Sequence, residues 1–135
     1  MKKYEILPHT ADLKIRVFGR TKAELFSNGL LAMADSLRPK IKYQKSNIKN
    51  IKIKSLGLET LLVDFLSEVL YLTQVDKEIY TNVKFKKLSD TQLEGDISGQ
   101  KVERFGEDIK AVTHHNLDIH QKKDGTWEAV ILFDI

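Results

Sequence analysis

The 135-residue sequence contains no cysteine and only two prolines. Without thiols it cannot form disulfides, use a thiolate nucleophile or bind zinc through cysteine. No apolar run approaches the roughly 18 residues that a membrane-spanning helix needs. The basic start Met1–Lys3 has no apolar segment behind it, so we expect no signal peptide. These absences predict a cytoplasmic protein that does not enter a membrane.

The usual motifs of a self-sufficient catalytic centre are also missing. The sequence has no Gly-x-Ser-x-Gly elbow, no phosphate-binding loop and no dinucleotide fingerprint. Its histidines lack the helical spacing of a zinc site. His114 and His115 should point to opposite faces of a strand, with His120 on the face of His114. We predict polar structural roles for these histidines and a chain that is not an enzyme.

Length and patterning predict one domain of α+β type, a two-layer sandwich of two main helices on a mixed or antiparallel sheet. Alternating apolar residues predict a strand over Leu13–Phe18. Thr21 and Glu24 form a capping box that begins a helix, which ends at Arg38-Pro39. A wide apolar stripe predicts a central helix from about Leu58 to Val75. Isoleucines 48, 51 and 53 predict a further strand between the helices.

The last third of the sequence has the pattern of β-structure. Residues 81–88 and 92–97 predict one hairpin. Residues 109–121 and 126–135 predict another, because the Asp124-Gly125 turn between them is a strong hairpin signal. The charged segment between them, Gly99–Asp108, predicts a surface loop.

The net charge of +3 comes from 22 basic and 19 acidic residues, and the excess is concentrated in lysine-rich stretches. Such stripes can contact RNA phosphates or an acidic protein surface. Lysines also protect exposed strand edges from unwanted pairing. The sequence leaves both interpretations open. The two stretches contain Arg38, Lys40, Lys42, Lys45, Lys49, Lys52 and Lys54, followed by Lys84, Lys86 and Lys87.

Three carboxylates suggest a site for a hard cation. Asp134 and the terminal carboxylate of Ile135 stand at the end of an apolar strand, and Asp12 precedes the strand that begins at Leu13. Oxygen ligands of this kind suit calcium or magnesium. Aspartates before strands are also common turn-formers that bond to nearby backbone amides. From these residues alone, both interpretations remain open.

Taken together, the motifs resemble those of the archease family across the whole length, residues 1–135. The first is Pro8-His9-Thr10-Ala11-Asp12, and the last is Val130-Ile131-Leu132-Phe133-Asp134-Ile135. Between them lie Leu62–Tyr71 and the segment Ile109-Lys110-Ala111-Val112-Thr113. The sequence differs from the family pattern at His114, where tyrosine is common, and at Val102–Phe105, where a histidine is common.

The resemblance implies a compact α+β domain that assists the RtcB-type tRNA-splicing ligase. Archeases promote guanylylation of that ligase, support its multiple turnover and broaden its use of nucleoside triphosphates. Contact with tRNA would then be indirect, through the ligase. A general chaperone or adaptor for RNA-processing proteins is the alternative.

The resemblance also implies a bound divalent cation, calcium first and magnesium or manganese as alternatives. Its implied ligands are Asp12, Asp134 and Ile135. Lys110 lies in a matched segment and is a candidate contact for phosphate or for the partner. His9 is a second candidate contact of this kind.

Overall fold

The computed structural model describes residues 1–8, 11–42 and 46–135. Within these ranges the chain forms two helices and eight strands. In chain order the elements are β1 (Tyr4–Leu7), β2 (Leu13–Gly19), α1 (Lys22–Ser36), β3 (Pro39–Ile41), β4 (Asn47–Lys54), α2 (Leu58–Asp76), β5 (Glu78–Leu88), β6 (Gln92–Phe105), β7 (Ala111–Gln121) and β8 (Trp127–Asp134).

The strands form two four-stranded sheets, and every strand pair among the described residues is antiparallel. The first sheet has the order β1-β2-β8-β7. In the second sheet β3, β4 and β5 all pair with β6. Because β4 and β5 pair with the same stretch of β6, they lie on opposite edges of it. This confirms the predicted α+β class with helices on antiparallel sheet.

The two helices begin as the sequence predicts. The Thr21 hydroxyl accepts a hydrogen bond from the backbone N–H of Glu24, and the Glu24 carboxylate accepts one from the N–H of Arg20. This arrangement satisfies two backbone donors at the helix start. Helix α2 begins after Gly57 without a side-chain cap and runs one residue beyond the predicted end. Its stability therefore depends on packing more than on capping.

The core lies where both helices meet both sheets. Helix α1 contacts β2 and β5, and α2 contacts β7 and β5. The rings of Phe26 and Phe65 lie 5.9 Å apart, and Phe85 of β5 lies 6.4 and 6.0 Å from them. Neither helix in the described part of the chain has the length and apolar character required to cross a bilayer.

The prediction of a surface loop over Gly99–Asp108 is wrong, because β6 continues to Phe105. Gly99 is a close-approach residue inside the strand. A Cβ added there would lie 2.5 Å from the carbonyl oxygen of Ile79 and 2.6 Å from the ring of Tyr80. The charged residues after Gly99 lie on the strand, where Glu103 pairs with Lys40 of β3 at 3.4 Å. The short strands β1 and β3 were not predicted.

Candidate functional site

Asp12 and Asp134 lie at the same end of the first sheet. The ladder between β2 and β8 ends at the pair Leu13 and Phe133. Asp12 and Asp134 come next on their strands, so the antiparallel register brings them opposite each other. Phe133 is fully buried, so alternation directs its neighbour Asp134 to the outer face of the sheet. Asp12 is half-buried and Asp134 is exposed.

Ile135 and Lys110 flank the same end of the sheet. The backbone N–H of Lys110 donates to the carbonyl oxygen of Asp134 at 2.7 Å, which connects the end of β8 to the residue before β7. Ile135 is 49% exposed and lines a groove of about 500 Å³ together with Leu13 and Ile109. The structure therefore gathers Asp12, Asp134, Ile135 and Lys110 at one end of the first sheet.

The side chains at this end of the first sheet face two different cavities. Asp12 lines a groove of about 400 Å³ on the outer face of the first sheet, whereas Ile135 lines the 500 Å³ groove beside it. The lining of the outer groove combines apolar, basic and acidic side chains. The residues lining it are Leu7, Asp12, Lys14, Arg16, His115, Asp118, Val130 and Leu132.

An ion-pair network crosses the outer face of this sheet. The Arg16 guanidinium lies 2.7 Å from the Glu5 carboxylate and 3.5 Å from that of Glu128. His120 bridges Asp118, at 2.7 Å, and Glu128, at 2.9 Å. Hydrogen bonds from Lys2 and then Arg16 lower the pKa of Glu5. The network links side chains of β1, β2, β8 and β7 across their polar face.

The predicted placement of the histidines is wrong in part. His120 was expected on the face of His114, but the register of β7 against β8 shifts between Thr113 and Asp118. Because of this shift, His115 and His120 both belong to the outer face. His114 instead approaches Asp64 of α2, with 3.8 Å between Nε2 and Oδ1. Simple alternation cannot reveal a bulge, so no signal in the sequence pointed to this cluster.

His9 lies outside the described residues. Among residues 1–8, 11–42 and 46–135, no group of three or more histidine, aspartate and glutamate side chains is arranged to hold a metal. The donor set expected from the sequence is different in kind, because it has two side-chain carboxylates and one main-chain carboxylate. Oxygen donors of this kind are those that calcium prefers, and that cation accepts irregular geometry. Asp12 and Asp134, which continue the β2–β8 ladder opposite each other, carry oxygen donors of this kind.

Comparison with known proteins gives a consistent family assignment. The model of the Archease protein family matches residues 4–135. The protein archease of Methanosarcina barkeri is 37% identical over 142 aligned residues, which cover 99% of this chain and 97% of that protein. The protein archease of Pyrococcus furiosus is 33% identical and covers all of both chains.

Solved structures agree with the fold. The solution structure of protein 1598 of Methanobacterium thermoautotrophicum matches with a TM-score of 0.70 at 26% identity, over all of both chains. The crystal structure of a Thermotoga maritima archease, described as a possible chaperone, matches with a TM-score of 0.70. At 18% identity, over 96% of this chain and 94% of that one, the second match shows the fold alone. From its sequence and its fold, this chain belongs to the archease family.

Proposed function

We propose that this protein is a non-enzymatic activator of an RtcB-type tRNA-splicing ligase in the cytoplasm. In this proposal it promotes guanylylation and multiple turnover of the ligase and broadens its nucleotide use, and its effect on tRNA splicing is exerted through the ligase. The observation that carries the proposal is the family match over residues 4–135 together with the facing positions of Asp12 and Asp134.

In this proposal the end of the first sheet is the part that docks at the ligase active site. Asp12, Asp134 and the carboxylate of Ile135 would hold a divalent cation, calcium in the first instance. A bound cation supplies positive charge that neutralises phosphate oxygens, which is a large part of catalysis in phosphoryl transfer. The aspartates present acceptor oxygens at a rigid strand end. The main-chain bond from Lys110 to Asp134 keeps that end in place.

Single-turnover guanylylation of a cognate ligase, with and without this protein, tests the proposal. The wild type should raise the rate, and Asp12→Asn or Asp134→Asn should remove most of the increase. Asp124→Asn is the matched control, because Asp124 lies in the turn at the opposite end of the β7–β8 pair. The control should stimulate like the wild type. Full stimulation by both aspartate variants would contradict the proposal that this end of the first sheet activates the ligase.

A cation titration tests the ligand set separately from the ligase. We expect calcium to bind the wild type more tightly than a variant extended by two residues after Ile135. The extension displaces the terminal carboxylate but leaves every side chain in place. Calorimetry with calcium, magnesium and manganese would rank the cations. Equal calcium affinity in the two proteins would show that Ile135 is not a ligand.

A chaperone or adaptor role is the second candidate, favoured by the description of the Thermotoga maritima structure as a possible chaperone. Under this role the protein would suppress aggregation of an RNA-processing partner during heating, as followed by light scattering. The Asp12→Asn variant would suppress aggregation as well as the wild type, since the end of the first sheet would not be needed. Suppression without stimulation of guanylylation would favour this candidate over the ligase activator.

A further inference from the structure

The outer face of the second sheet carries a group of lysines that the proposed function does not use. Alternation along the strands, together with a register shift between Phe85 and Lys87 of β5, places these lysines on one side. In β4, Ile51 is buried while Lys52 is exposed, and in β5 Val83 is buried while Lys84 is exposed. We call this side the lysine face. Its lysines are Lys52, Lys54, Lys84, Lys86 and Lys87.

The register shows how charge is arranged across the lysine face. Glu94 of β6 pairs with Lys52 of β4 on one side and Lys87 of β5 on the other. Asp96 pairs with Asn50 and Lys84 in the same way. The acids therefore lie along the middle strand, and the lysines lie on both flanking strands. Neighbouring strands are about 4.8 Å apart, so the two rows of lysines are separated by roughly 10 Å.

Five lysines and two acids leave the lysine face with three positive charges, which equals the formal net charge of the whole chain. The acids are only partly matched with these lysines. Asp96 accepts a hydrogen bond from Asn50 at 3.0 Å and lies 3.6 Å from Lys86. Within the described residues, three lysines of this face, two on β4 and one on β5, form no salt bridge. These lysines are Lys52, Lys54 and Lys84.

The chemistry of this surface favours a polyanion over a protein. Protein interfaces are enriched in aromatic residues and arginine and depleted of lysine at their centres. The lysine face has neither arginine nor an exposed aromatic residue on the paired stretch of its three strands, and its one exposed large apolar side chain, Ile48, lies at one end. Base stacking requires aromatic rings or arginine. What remains is contact with phosphates, which is independent of sequence.

We propose that the lysine face binds the phosphodiester backbone of a double-helical nucleic acid without reading its bases. Two rows of exposed lysines, roughly 10 Å apart, can reach several phosphates at once. The lysine face is separate from the residues Asp12 and Asp134, which lie at the end of the first sheet. The inference therefore goes beyond the proposed function and does not depend on it.

Fluorescence anisotropy with an RNA duplex and a DNA duplex of the same sequence, across a series of salt concentrations, tests the inference. The wild type should bind at low salt, with log affinity falling linearly against log salt. The triple variant Lys52→Gln, Lys54→Gln and Lys84→Gln should bind at least about tenfold more weakly at about 50 mM salt. Its slope should be smaller by about 2 to 3, because each phosphate that a lysine neutralises contributes about 0.9 to the slope.

The matched control is the triple variant Lys3→Gln, Lys122→Gln and Lys123→Gln, which removes the same charge elsewhere on the surface. It should keep most of the affinity and the slope. Equal losses in both triple variants would overturn the inference in favour of general charge attraction, as would no binding of either duplex by the wild type. A polyglutamate peptide that binds through the lysine face while neither duplex binds would assign it to an acidic protein instead. Stronger binding of one duplex would identify the kind of nucleic acid.

Discussion

At the residue scale, Tyr4 links the first strand to the end of the first helix. Its hydroxyl donates to the Asp35 carboxylate at 2.7 Å. Burial and, after it, the hydrogen bond and charge of Asp35 raise the pKa of Tyr4 to about 12. The neutral phenol is therefore the form that the fold favours. Ionisation would place two negative groups against each other at the junction of β1 and α1.

This contact predicts a pH dependence at the alkaline end. A tyrosine pKa raised from 10.0 to about 12 contributes stability that is complete below pH 10 and is lost as the pH rises towards 12. Tyr4→Phe should abolish that part of the alkaline loss, because it cannot ionise. Urea unfolding of both proteins at several alkaline pH values measures the difference. Parallel stability curves for the two proteins would contradict the assignment.

Single residues also show what the sequence could and could not predict. The Thr21 and Glu24 cap was predicted because its spacing is local and its partners are main-chain groups. The faces of His114 and His120 could not be, since a register shift in β7 depends on pairing with a distant strand. The facing positions of Asp12 and Asp134 depend on the same kind of pairing. The cation and its ligands stay a prediction.

At the element scale, the tight connection from β2 into α1 depends on Gly19. A Cβ added there would lie 2.3 Å from the backbone nitrogen of Leu25 and 2.7 Å from its Cα. These are helix backbone atoms, so relief would require the helix to move away from the strand. At Gly57, before α2, an added Cβ would meet nothing within 4 Å. The two glycines precede the two helices but meet different surroundings.

Gly19→Ala should therefore destabilise the fold by about 2 to 3 kcal/mol, as expected for overpacking against rigid backbone. Gly57→Ala is the matched control and should change stability by no more than about 1 kcal/mol, because the extended φ of −168° suits alanine. Chemical denaturation of the two variants measures both effects. Similar stabilities for the two variants would show that the helix can shift at little cost.

Whole elements were predicted best where one signal dominates. The apolar stripe of α2 was enough, since its period and length together exclude a strand. The second half of β6 was missed, because Gly99 and the charges after it are typical of loops. Only the approach of Ile79 and Tyr80 to Gly99 explains why a strand contains a glycine there. The three-residue strand β3 is too short to show an alternating pattern.

At the scale of the whole molecule, the aromatic cluster of Phe26, Phe65 and Phe85 joins both helices to the second sheet. The side chain of Phe65 is fully buried and contacts both other rings. Helix α2, which carries Phe65, contacts β7 of the first sheet and β5 of the second. Its loss should therefore weaken the entire domain.

Phe65→Ala should lower the free energy of unfolding by about 3 to 5 kcal/mol, the usual cost of a large cavity in a core. The control is Tyr71→Ala, because Tyr71 lies on the same helix and is 58% exposed. It should change stability by about 0.5 kcal/mol or less. Urea unfolding followed by circular dichroism and by Trp127 fluorescence compares them. Separate transitions for the two probes in Phe65→Ala would show that the sheets unfold independently.

The central position of β6 has a consequence for how the chain reaches its fold. Its hairpin with β5 needs only a three-residue turn, whereas β4 reaches it across the whole of α2. Closing a long loop costs more entropy than closing a short one, so the hairpin should form before β4 joins. Until then β6 has one open edge that another molecule could pair with. The lysines of β4 and β5 would keep such early intermediates apart by mutual repulsion.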